Sequence, residues 1–139
     1  MIPVYTISCS LSNLKGLREF IKVNLNAFGL SGKETEELIL AVDEMVANQI
    51  IHSHQCNPDN KFDLSMQFDK QEKVVIIEIV DKAKVFNINE FVQPELKDII
   101  HERRKGGLGI RLVRAIMDKI EYINENDKRI CRMTKKFTA

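Results

Sequence analysis

Apolar residues in this chain are spaced in two rhythms, one suited to strands and one to helices. "IPVYTISC", residues 2–9, is dominated by β-branched and aromatic side chains and predicts a strand, with Pro3 where a first or edge position tolerates it. From Ser12 the rhythm lengthens: Leu14, Leu17, Ile21 and Leu25 recur at helical spacing, and Gly29 is placed to end that helix. "SGKETEEL" starts a second helix, with Ser31 available as a cap and acidic residues in the first turn, running to about His52. "FDLSMQF" then alternates, with Phe62, Leu64, Met66 and Phe68 on one face, and "VVIIEIV" is apolar on both faces, as an interior strand is, stopping at Asp81. Residues 82–105 carry no strong strand signal and read as a lid, with a short helix from Pro94 to about Arg103. A glycine cluster opens a third helix, and "KIEYIN" and "RICRMTK" around "ENDK" predict a closing hairpin whose last strand lies at an edge.

The second helix is unusual. Around residues 36–54, Leu38, Ile39, Leu40, Val42, Met45, Val46, Ile50 and Ile51 surround the axis, so the helix is expected to be largely buried. Glu44, Asn48 and His52 nevertheless recur every four residues along one stripe, with the small Ala41 on the same side. Buried polar groups of this kind either satisfy one another or face a cleft. In a cleft, a carboxylate can take a proton and an amide oxygen suits a hard cation such as Mg²⁺.

Three of the six glycines, Gly106, Gly107 and Gly109, fall within four positions at the start of the third helix. Bare backbone at a helix N-terminus lets phosphate oxygens approach unpaired N–H groups, though a hinge for the preceding lid is the plainer use. The sequence is neither a dinucleotide fingerprint after a strand nor a P-loop.

Composition narrows the classes further. At 139 residues the chain supports one core, so a single domain spanning 1–139 is expected. A net charge of +1 supplies no global field toward nucleic acid or an anionic membrane. Cys9, Cys56 and Cys131 are far apart and suit a reducing compartment. No leader pattern opens the sequence and no apolar run approaches ~18 residues, so a cytoplasmic protein is expected. "HSHQC" offers His52, His54 and Cys56 to Zn²⁺, but without a nearby fourth ligand it reads as a plain helix end.

"ELILAVDEMVANQIIH", "IEIVDKAKVFN" and "KGGLGIRLVRAIMDKIEY", in this order and spacing, resemble the motifs of the Bergerat-fold (histidine-kinase-like) ATPases, and among them the bacterial anti-sigma-factor serine kinases. The resemblance covers nearly the whole chain. It implies an α+β, two-layer α/β sandwich with a mostly antiparallel mixed sheet covered on one face by three main helices. It also implies ATP and Mg²⁺ as cofactors, transfer of the γ-phosphoryl group to a serine of an anti-anti-sigma protein, sequestration of a sigma factor, and a homodimer.

By the same resemblance, Glu44 activates the attacking hydroxyl, Asn48 holds Mg²⁺ and His52 lies one turn on. Asp81 takes the adenine amino group with the small Ala83 beside it, and Lys105, Gly106, Gly107, Leu108 and Gly109 wrap the phosphates. Thr134, in the last strand, stands near the adenine. The chain departs from the pattern, D-x-G-x-G or D-x-G-x-P-F, at "DKAKVF", where Ala83 and Val85 replace the special residues, and at Gln49, which replaces a small residue. Those departures leave open an alternative: a catalytically silent module that acts only by sequestering a protein.

Overall fold

The computed structural model describes residues 2–83, 85–89 and 107–138. Five strands form a sheet in the order β1-β2-β3-β5-β4, where β1 is Val4–Ser8, β2 Lys61–Asp69, β3 Val74–Asp81, β4 Lys119–Glu125 and β5 Lys128–Lys136. All four pairings are antiparallel, so the mixed component expected from the sequence is not found among the described strands. β3 is interior as expected, and β1 is an edge. β5 is not an edge: it lies between β3 and β4, and the final hairpin folds back so that β4 takes the outside position.

Helices α1 (Leu14–Ala27), α2 (Lys33–Asn48) and α3 (Gly107–Ile116) share one core with the sheet. Leu17, Ile21 and Leu25 of α1 and Val42, Met45 and Val46 of α2 meet Ile110 and Val113 of α3 over one sheet face, built from Ile7, Leu64, Met66, Ile77, Ile79, Cys131 and Met133. These strand residues alternate with partly exposed ones, which is why one face is covered and the other is not.

Helix ends follow local chemistry. Gly29 adopts φ +83°, and the Leu30 and Gly29 amides close on the Leu25 and Asn26 carbonyls at 2.9 Å each, a Schellman end that only a residue at ease in the left-handed region makes without strain. The residue before α2 is Gly32, also at positive φ and without a side-chain cap, so Ser31 does not cap this helix. α2 is buried from Ala41 to Val46 except at Asp43 and Glu44, while Leu40 is 54% exposed. Beyond Asn48 the regular α-helix gives way to a π-helical turn, Gln49–Ser53.

Candidate functional site

The π turn decides which side chains of α2 reach the second motif. In an unbroken α-helix, residues five apart point in different directions, but the wider turn brings both Gln49 and His54 onto Asp81 at the end of β3. Gln49 Nε2 donates to Asp81 Oδ2 at 2.6 Å, and His54 Nε2 meets the same oxygen at 2.5 Å. Oδ1 accepts the Ala83 amide at 2.9 Å. All three side chains are buried, and His54 stacks on Phe62. Gln49 Oε1 accepts from the Phe86 amide at 2.6 Å and from Ser53 Oγ at 3.3 Å, which ties the chain after Asp81 to the helix end.

Asp81 therefore ends its strand as expected, but both carboxylate oxygens are engaged from within the protein. Ala83 touches it through the backbone only. Val85 buries its side chain in the core. Ile88 is held on both sides, its amide donating to Tyr122 Oη and its carbonyl accepting from Arg114, each at 3.0 Å.

Glu44 and Asn48 lie one turn apart on α2. Glu44 is half-buried, and burial first, then the neighbouring Asp43 charge, raises its carboxyl above the ordinary value. Asp43 is itself paired with Arg18 of α1 at 3.1 Å. Asn48 is 1% exposed, and its Nδ2 finds no hydrogen-bond partner among the described residues. Opposite Glu44 stands the first turn of α3. A Cβ on Gly109 would overlap the Glu44 carboxylate, lying 2.5 Å from Cδ and 2.9 Å from Cγ, so the bare backbone is what lets Glu44 sit against this turn.

The structure thus joins Glu44, Asn48 and Gly109 in one group and Gln49, His54, Asp81 and Ala83 in an adjacent one. His52 is exposed on the π turn and stacks on Phe86, 5.3 Å between ring centroids. Gly107 opens α3; its immediate surroundings and the Leu108 side chain fall outside the described residues, as do Lys105, Gly106 and most of the 82–105 lid with its short helix.

Thr134 joins neither group. It pairs with Ile76 and Lys119 on the uncovered sheet face, whereas the β5 residue paired with Asp81 is Arg129, two positions from the buried Cys131. An open cavity of about 490 Å³ is lined by Lys82, Ala83, Val85, Tyr122 and Arg129, and excludes Glu44 and Asn48. Among the described residues, no cluster of three or more His, Cys, Asp or Glu side chains is arranged to hold a metal ion.

This combination of fold and motif order has counterparts among known proteins. Residues 7–135 match the histidine kinase-like ATPase domain. The chain belongs to that family. The chain is 29% identical over 135 residues to the anti-sigma F factor of Bacillus cytotoxicus, covering 93% of this chain and 90% of that protein. It is 27% identical over 106 residues to the serine-protein kinase RsbW of Oceanobacillus iheyensis, covering 72% of this chain but 65% of that relative. The crystallised RsbU and RsbW domains of a Mycobacterium tuberculosis protein share its fold, with a TM-score of 0.66 at 10% identity, over 98% of this chain and 32% of that one.

Proposed function

We propose that this protein is an ATP-dependent protein-serine kinase that also sequesters a sigma factor, its phosphoryl acceptor being a serine of an anti-anti-sigma protein. The observation that carries the proposal is the crossing of α2 and α3, where the raised Glu44 carboxyl faces the glycine-opened first turn of α3, one helical turn from the buried Asn48 amide. The names of the relatives, serine-protein kinase and anti-sigma factor, support the same conclusion.

The donors suit Mg²⁺. A magnesium ion takes few protein oxygens and keeps water and phosphate for the rest, and the buried Asn48 amide, whose Nδ2 has no partner among the described residues, would offer its oxygen as one such ligand if turned over. When bound, Mg²⁺ supplies charge neutralisation on the phosphates. Glu44 accepts the proton of the serine hydroxyl as its oxygen bonds to the γ-phosphorus and the bond to the ADP oxygen breaks. A carboxyl raised by burial is a stronger base than an exposed one. The amides at the start of α3, beside Gly107 and Gly109, bind phosphate oxygens, with Lys105 and Gly106 adding to them.

The proposal places the protein in the cytoplasm as a homodimer of single-domain chains, without direct contact with nucleic acid. No helix among the described residues is long and apolar enough to cross a membrane.

Incubation with radiolabelled ATP, Mg²⁺ and candidate anti-anti-sigma proteins tests the proposal. Label is expected on a partner serine, and Glu44→Gln is expected to reduce its rate by about 100-fold or more. Undiminished transfer by that variant removes Glu44 from the mechanism. A second function, sequestration without nucleotide, is favoured by one observation: the Asp81 carboxylate is already engaged by Gln49 and His54. Tight Mg²⁺-dependent ATP binding excludes it.

A further inference from the structure

Gln49 departs from the family pattern, and its side chain reaches Asp81, the residue that the resemblance gives to the adenine. Its carboxamide donates to Asp81 Oδ2 at 2.6 Å through Nε2 and accepts from the Phe86 amide at 2.6 Å through Oε1. A donor beside an acceptor on one flat edge is also what adenine presents, an amino group next to a ring nitrogen. The two are close enough in pattern that carboxamides and adenine are standard partners elsewhere. The Gln49 side chain is fully buried, so its place is not shared with solvent.

We infer that Gln49 is an internal stand-in for the adenine edge and closes the base subsite of this protein from within. The inference rests on the proposed ATP site and concerns only the base end of it. His54 strengthens the closure by contacting the same Asp81 oxygen. Val85 strengthens it by filling core space after the motif. The phosphate end, built from Glu44, Asn48 and Gly109, lies outside this hydrogen-bond network. Nucleotide recognition is therefore shifted from the base to the triphosphate, and a base enters only where the Gln49 amide gives way. Gln49 is thus a specificity-determining residue, setting how far the protein distinguishes ATP from other triphosphates.

Titration calorimetry of the full chain with Mg²⁺-ATP and with Mg²⁺-tripolyphosphate, which lacks base and sugar, separates the two ends. The unaltered protein is expected to bind the two ligands with affinities within about tenfold of each other. Gln49→Ala, with melting checked to establish that it folds, is expected to tighten ATP by about tenfold or more and to leave tripolyphosphate unchanged. A preference of the unaltered protein for ATP by more than about tenfold overturns the inference, and needs no variant. A folded Gln49→Ala without any gain for ATP also overturns it. Failure of the proposed function looks different, because then neither ligand binds either protein, phosphate end included, and both ideas fall together.

Discussion

Glu44 and Gly109 make the most consequential contact between single residues. A methyl group at Gly109 has no room beside the carboxylate, so Gly109→Ala must displace either Glu44 or the α3 backbone. It is expected to reduce phosphoryl transfer by about tenfold or more, measured as kcat with the partner protein. Glu44 also makes a prediction about pH. Its carboxyl is raised in the folded chain, so the folded state keeps that proton to higher pH than the unfolded state does. The stability this contributes is full below the ordinary carboxyl value and is lost as pH rises through the raised one. Replacing the acid by a neutral isostere should therefore help stability once the native carboxyl has ionised. Glu44→Gln is expected to melt roughly 1–3 °C higher than the native chain at about pH 7 while losing transfer; a lower melting point contradicts the sign. The native activity should fall on acidification with a midpoint above the usual carboxylate range.

Among elements, the end of α1 and the end of α2 show what a sequence reveals and what it hides. The α1 end was legible because Gly29 carries its own reason: positive φ, a closing pair of hydrogen bonds, and Leu30 packing back into the core. Gly29→Ala is expected to cost about 1 kcal/mol, read as a lower denaturation midpoint. The α2 end was not legible. Glu44, Asn48 and His52 share a stripe only while 3.6 residues make a turn, and nothing in "NQIIHSH" announces the wider turn that follows Asn48. That turn leaves His52 exposed against Phe86 and carries Gln49 and His54 to Asp81. In β5, the adjacent apolar pair Ile130 and Cys131 leaves the phase of alternation undetermined. Thr134 lies on the uncovered face, and the interior position of β5 follows from long-range pairing that local spacing does not encode.

At the scale of the molecule, the element order and the three motifs were sufficient to anticipate the layering of three helices on one side of a five-stranded sheet. The self-engaged aspartate was not anticipated, because it depends on contacts between residues 32 positions apart. The other sheet face bears no described helix. It carries Val80, Ile130 and Ile123 side by side, next to a Glu78–Arg132–Glu121 row in which Arg132 bonds Glu78 at 2.6 Å. Sedimentation at micromolar concentration is expected to give a dimer; a monomer throughout contradicts the homodimer proposed above.

The central claim is that Glu44, Asn48 and the start of α3 form a working triphosphate and Mg²⁺ site despite the closed base subsite. The most direct measurement is a calorimetric titration of ATP into the native chain and Asn48→Ala, each with and without Mg²⁺. The account predicts that Mg²⁺ tightens ATP binding by about tenfold or more in the native chain and has little effect in the variant. ATP binding that ignores both Mg²⁺ and Asn48, or no binding under any of these conditions, contradicts it.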